Sequence, residues 1–277
     1  MTVYSSSFRC NSTFLEALKA LIKQAYEYRW QVWLTIKKRI QSTYQQDVLG
    51  VFWSIVMPLI PMTVYMVLAQ IKVFKTVEDM PFIYYIAAGM FVWLLMAKTI
   101  HTIVLAIKAE KAILTTTTFP IFPTLLSRLG EVLHDSAIRL VVLGIILLWF
   151  HIDTSFSNIV LFILSLIPVA IFALGLGMIL AILDLVVQDT RRVVLLALRY
   201  GLFLSSVIFP FPETGIAAEI NKFNFFNTFV NASRDILYYG TVDNWTLYIV
   251  TCLAGVAIFI LAAKLVYSME FKVREYL

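Results

Sequence analysis

The chain has 277 residues, of which 61% are hydrophobic and 14% charged, and its mean hydropathy is +0.86. A water-soluble domain carries roughly 45–50% apolar and about 25% charged residues, so a soluble enzyme, a disordered hub and a nucleic-acid reader are excluded and a polytopic membrane protein is indicated. The net charge of +5 calls for an explanation other than nucleic acid.

Residues 1–50 form the longest stretch without a span. Its first thirteen residues are polar, which predicts no cleavable signal peptide and insertion through internal spans. Thr13 and Glu16 have the spacing of a capping box. Phe14, Leu18, Leu21, Ala25 and Tyr28 then recur at three- and four-residue intervals, and Trp33, Ile36 and Ile40 continue the stripe beside Lys37, Lys38 and Arg39. That pattern predicts an amphipathic helix in the inner interface, attracted by an anionic leaflet. A plain membrane anchor and a helix that also gates or grips a partner fit it equally.

A crossing helix needs about 20 mostly apolar residues. Residues 51–71, 154–183 and 246–263 carry no charge, and 82–107 contains only Lys98 and His101 near its second end. Residues 136–152 and 193–211 are interrupted by Arg139 and Arg199, each near enough to one end for a long side chain to snorkel to the headgroups. The expectation is an all-α fold of six transmembrane helices at about 51–71, 82–107, 136–152, 158–183, 193–211 and 246–267, with four as the alternative count. The transmembrane domain is then 51–267 and a cytoplasmic tail 268–277. With the N-terminus inside, fourteen Lys and Arg fall in inner segments and four (Lys72, Lys75, Lys222, Arg234) in outer loops, so both termini are expected in the cytoplasm. The basic excess is a topology signal, and no nucleic-acid partner is expected.

Between the spans, residues 108–135 hold four successive threonines with Pro120 and Pro123. This segment reads as a poor spanning helix, with a short protruding helix from Ala109 to about Leu114 on which a soluble partner can dock. The loop 212–245 is long and apolar, with Phe223, Phe225, Phe226 and Phe229. It reads as a re-entrant pair of outer half-helices or as a cap lying flat on the outer surface.

Much chemistry is missing from the sequence. No G-x-x-x-x-G-K-[ST] is present, so no P-loop is expected in this chain. Cys10 and Cys252 stand far apart, without metal spacing. His134 adjoins Asp135 without a nucleophile motif, which reads as a satisfied interfacial pair. No catalytic, cofactor or metal residues are assigned. Gly175 and Gly177 predict close helix packing. The acidic residues lie away from the expected span centres, so nothing in the chain supplies energy for transport, and a separate motor is required.

A basic amphipathic lead-in, Val48-Leu49-Gly50-Val51-Phe52-Trp53 and then Pro58 in the first span, resembles the permease subunits of ABC-2 type exporters of bacterial surface polysaccharides: O-antigen, capsule and teichoic acid. Phe119-Pro120 with Pro123, Gln188-Asp189, Ser205-Ser206-Val207-Ile208-Phe209-Pro210, and Asn227 with Ala232-Ser233-Arg234 follow in the order and spacing of that family. The family's arginine before Asp189 is Gln188 here. The resemblance implies a homodimer in the bacterial inner (plasma) membrane with two copies of an ABC ATP-binding subunit, which would hold ATP and Mg; this chain holds no cofactor. It implies that the first and fifth spans line a channel, that the outer half-helices shape its exit, and that Glu110, Lys111, Ile113, Leu114 and Phe119 engage the ATPase.

For a lipid-linked glycan, aromatic faces suit weak, repeated sugar contacts. Phe52, Trp53, Tyr65, Tyr200, Phe203, Phe209 and Phe211 are the candidate channel set, with interface anchoring as the competing role. Lys37, Lys38 and Arg39 are candidates to receive the pyrophosphate of a lipid carrier at the inner mouth, with leaflet attraction competing. An ABC-2 drug or lipid exporter shares this architecture. A membrane-embedded enzyme and a passive channel are the rivals of other classes.

Overall fold

The computed structural model describes residues 12–46, 80–210, 221 and 223–276, together with single positions between 52 and 68. Nine labelled helices run through the described residues: α1 (Phe14–Glu27), α2 (Arg29–Gln46), α3 (Phe82–Ala109), α4 (Lys111–Thr116), α5 (Ile121–Trp149), α6 (Phe156–Val186), α7 (Thr190–Gly201), α8 (Phe225–Tyr239) and α9 (Trp245–Tyr276). Helical backbone also occurs at the described positions from Phe52 to Leu68.

α1 begins with the expected capping box. Thr13 Oγ1 accepts from the Glu16 amide at 3.3 Å, and Glu16 Oε2 accepts from the Thr13 amide at 2.8 Å. This occupies donors that a helix start leaves open. On α1, Ala17 and Leu21 are buried while Phe14, Leu15 and Ile22 are exposed, and on α2 Trp30 and Trp33 are exposed as well. α1 therefore packs one face on α9 and α5 and leaves apolar surface for another phase.

Four helices among the described residues are long and apolar enough to cross a membrane: α3, α5, α6 and α9, of 28, 29, 31 and 32 residues. At about 1.5 Å per residue they are roughly 42–48 Å long against a hydrocarbon layer of about 30 Å, so each protrudes. α3 is the hub, buried along most of its length, with α5, α6 and α8 packed on it and α9 packed on α6. A Cβ at Gly175 would lie 2.7 Å from Phe259 Cα, so α6 and α9 meet backbone to backbone there, the close packing its sequence context predicts. One apolar cluster centres on Tyr84, Phe91, Phe162, Phe172 and Phe229. A second joins Leu21, Ile103, Leu114, Ile121 and Val266, tying α1, α3, α4, α5 and α9 together.

Three expectations change. The helix expected over 136–152 begins at Ile121, so 121–135 is the first half of a long helix. Pro120 is its N-cap residue and Pro123 lies in its first turn, where amides have no intrahelical acceptor and proline does no damage. The span expected over 193–211 is not one continuous helix: α7 stops at Gly201 after 12 residues. The amides of Phe203 and Leu204 then bond to the carbonyls of Tyr200 and Gly201 in tighter turns, and Ser206 takes a left-handed φ of 48°. Most of the expected first span 51–71, with the Val48–Trp53 motif except Phe52, lies outside the described residues. So do Lys72, Lys75, Lys222, the last residue of the expected fifth span, Phe211, and the start of the outer loop, 212–220.

Among the described residues of that loop, Asn221 is helical and 225–239 form α8, which packs into the bundle against α3, α6 and α9 rather than lying flat. Asn224 caps it by accepting from the Asn227 amide. Arg234, counted from sequence as a loop cation, is fully enclosed on it.

Candidate functional site

α3 and α5 are joined by an elbow containing α4, and its two ends are held by charged side chains from distant parts of the chain. Glu110, at the break between α3 and α4, is only 6% exposed. Arg39 Nη2 from α2 reaches its Oε1 at 2.6 Å, and Arg128 Nη2 from α5 bonds to the same oxygen. Glu131 adds contacts of 3.5 Å to Arg128 and 4.0 Å to Arg39. Two arginines and two glutamates balance, as burial of charge requires. Burial pushes the Glu110 carboxyl up, but the hydrogen bond and charge of Arg39, and then those of Arg128, outweigh it and hold it below the ordinary carboxylate range.

At the other end, Arg274 near the end of α9 donates through Nη1 to the carbonyls of Leu114 (2.9 Å) and Thr117 (2.8 Å) and through Nη2 to that of Phe119 (2.6 Å). Glu270, one turn earlier, accepts the Ile121 amide at 3.3 Å and the side-chain amide of Gln24 at 3.5 Å. The threonine run ends α4 by back-bonding: Thr115, Thr116 and Thr117 hydroxyls donate to the carbonyls of Lys111, Ala112 and Ile113. Leu114 is completely buried and pins α4 to the core, while Ile113 is 41% exposed. Lys111, Ala112, Thr115 and Thr116 share the open side. Between α1–α2 and α4 lies a cavity of about 330 Å³, with Tyr28, Thr35, Thr117 and Phe119 on its walls and the Arg39–Glu110 pair at one side.

The residues expected to meet the ATPase are thus divided. Lys111 and Ile113 face outward, Phe119 packs edge-on against Tyr28 at 5.4 Å, and Glu110 and Leu114 hold the helix from inside. Lys37 and Lys38 are exposed, whereas Arg39 is engaged with Glu110 and Glu131. Of the candidate channel aromatics, Phe52, Tyr200 and Phe203 are exposed and Tyr65 and Phe209 pack against the core; Trp53 and Phe211 lie outside the described residues. Phe223 is exposed, but Phe225, Phe226 and Phe229 surround Phe172 at centroid distances of 6.0, 5.4 and 5.3 Å and attach α8 to α6.

Two polar groups escape a sequence reading. Arg234 Nη2 donates to the Ser206 carbonyl at 2.7 Å and Nη1 to Asn231 Oδ1 at 3.0 Å, with its guanidinium 3.5 Å from the Tyr85 ring centroid. Lys98 of α3 bonds to Asp135 of α5, which also lies 3.9 Å from Arg139 and 4.0 Å from His134. Arg139, expected to snorkel, is largely buried beside Asp135 in the bundle. The spacing Glu131, Asp135, Arg139, one residue per turn of α5, is the signal available in the sequence for it.

Residues 30–238 match the family model described as ABC-2 type transporter. The chain is also 23% identical over 194 residues, 69% of its own length and 72% of the relative's, to the O-antigen export system permease protein RfbA of Myxococcus xanthus.

Proposed function

Because the chain belongs to the ABC-2 type transporter family, membrane transport subunits that pair with an ABC ATPase, we propose that it is the permease of an exporter moving a lipid-linked surface polysaccharide from the cytoplasm across the bacterial inner membrane. Two copies of the chain form the passage and two copies of a separate ATP-binding subunit drive it. The likeness to an O-antigen export permease supports the glycan class.

The observation that carries the reading is the elbow. α4 presents an exposed face on a short helix that is clamped at both ends, by Arg39 and Arg128 through Glu110 and by Arg274 through three carbonyls. A load applied to a loosely tethered loop dissipates locally. Applied to α4, it passes into α2, α5 and α9 together, because the charged groups that hold α4 belong to those helices. α7 supports the dimer: it exposes Val193, Leu195, Leu196 and Tyr200, apolar surface that a second copy can cover around a central path. Tyr200 and Phe203 there offer flat sugar-facing area.

The test is co-expression with the ATP-binding subunit. Co-purification, ATP hydrolysis raised by this chain, and glycan export that stops with Ile113→Asp while protein level holds are the expected results. Transport by the chain alone, or ATP turnover indifferent to its presence, overturns the reading.

A further inference from the structure

Asp184 stands where a carboxylate is costly. It is completely buried and lies two residues from the end of α6, where the helix dipole repels negative charge and burial makes the charge depend on a partner. That partner is Lys108, in the last turn of α3. Lys108 Nζ lies 2.8 Å from Asp184 Oδ2 and donates to the Asp184 carbonyl at 2.5 Å. The ammonium therefore closes the end of α6 twice, by pairing its carboxylate and by capping a carbonyl that a helix end leaves open.

What this pair holds in place is α7. Only residues 187–189 separate α6 from α7, and no residue from Leu185 to Val193 is buried. Val194 is the one buried residue of α7 itself. The chain is next buried at 205–208, around the Ser206 carbonyl that accepts from Tyr85 and Arg234. α7 thus hangs between two polar anchors with little apolar packing between them. Both anchors reach α3, through Lys108 in its last turn and Tyr85 in its first. Apolar packing is non-directional and tolerates small slides, whereas an ion pair with a capping bond fixes one register. Lys108 is also two residues from Glu110, where the elbow begins.

We propose that Lys108 is a positioning residue of the transport step. By gripping Asp184 it ties the start of α7 to the elbow, so that a displacement of α4 by the ATPase is delivered to α7 and to Tyr200 on its exposed face. The proposal deepens the export reading and rests on it for the ATPase and its load, while the tie itself belongs to this chain alone.

The test uses the double variant Lys108→Met/Asp184→Asn, which removes both charges together and so strands neither; its unfolding midpoint reports that it folds. In the purified full chain without any ATPase, hydrogen exchange of the amides at 193–200 should rise about tenfold while exchange in α8 stays unchanged. Asp184→Asn alone keeps the carbonyl bond to Lys108 and should give an intermediate rate. Unchanged exchange at 193–200, or an equal rise in α8, overturns the tie. In the assembled exporter, the double variant should keep ATP turnover within about twofold of the parent while glycan export falls about fivefold or more. Lys108→Arg, which keeps the charge and its donors, should retain most of the export. Unchanged export, or export and ATP turnover lost in proportion, overturns the transmission. A parent chain that does not raise ATP turnover overturns the export reading and with it the transport role, and the exchange result still decides the tie.

Discussion

The guanidinium of Arg234 donates to the carbonyl of Ser206 at 2.7 Å, joining two segments that are separate in sequence. Tyr85 OH donates to the same carbonyl at 2.8 Å, and Tyr84 OH donates to the carbonyl of Arg234 itself. α3, α8 and the turn after α7 are thereby locked at one point, at the carbonyl of Ser206, a residue with a left-handed φ of 48°. Arg234→Ala removes the charged donor and leaves buried acceptors open, a loss of about 2–4 kcal/mol. A thermal unfolding midpoint in detergent equal to that of the parent would remove Arg234 as the lock.

Gly89 on α3 makes room for that arginine. A Cβ built there lies 2.3 Å from Arg234 Nη2 and 3.3 Å from the Val207 carbonyl, so Gly89→Ala must move the guanidinium although alanine is the better helix former. It should destabilise by about 1–3 kcal/mol, and in the Arg234→Ala background most of the penalty should vanish. A double-mutant cycle measures this, and additive penalties would show that the two residues are not coupled.

The elbow gives a pH dependence. The Glu110 carboxyl is held below its ordinary value of 4.5 by Arg39 and Arg128 against the upward push of burial. A depressed carboxylate stabilises the fold fully above its unfolded value and loses that contribution as the pH falls through its folded value. The unfolding midpoint of the parent should hold from pH 7 to about 4.5 and fall below it, more steeply than in Glu110→Gln, which starts lower. Parallel profiles for the two proteins would take the acid sensitivity away from Glu110.

Some of this was legible in the sequence because the interacting residues are close together or obey one helix period. The Thr13–Glu16 box spans four consecutive residues. The elbow at 109–114 announces itself through a threonine run and a Phe-Pro step, and its helix is displaced by only two residues, to Lys111–Thr116. What stayed hidden depends on a second helix. Asp135 looks like the end of a cytoplasmic loop until Lys98, 37 residues away, is seen to pair with it. Pro120 and Pro123 read as breakers, yet at a helix start they disturb nothing. Residues 193–211 are apolar enough to suggest a span, but apolar composition does not report that hydrogen bonding shifts to tight turns after Gly201.

Ile113 and Leu114 are neighbours with opposite orientations, 41% and 0% exposed, and they separate coupling from folding. Leu114→Ala opens a cavity in the cluster formed with Leu21, Ile103, Ile121 and Val266, at a cost of about 2–5 kcal/mol, and should be seen as a lower unfolding midpoint. Ile113→Asp replaces an exposed side chain, and its midpoint should stay within about 0.5 kcal/mol of the parent. Its effect should fall on ATP turnover with the partner subunit. An Ile113→Asp protein that couples normally would move the docking surface away from α4.

Arg274 tests whether the clamp transmits force or merely fills space. It satisfies the carbonyls of Leu114, Thr117 and Phe119 from the far end of α9, so Arg274→Ala frees the end of α4 and the threonine run while Leu114 still anchors the centre. Hydrogen exchange of the amides at 115–119 should rise by about tenfold, the signature of local rather than global opening, with exchange in α6 unchanged. Arg274→Lys keeps the charge but loses the planar fork, and should give an intermediate rate. If the clamp carries load, ATP turnover in the assembled exporter continues while glycan export falls, since the push on α4 no longer reaches α9. Equal loss of both activities would instead mean that Arg274 only maintains the docking surface, and the transmission argument would then rest on Glu110 and its two arginines.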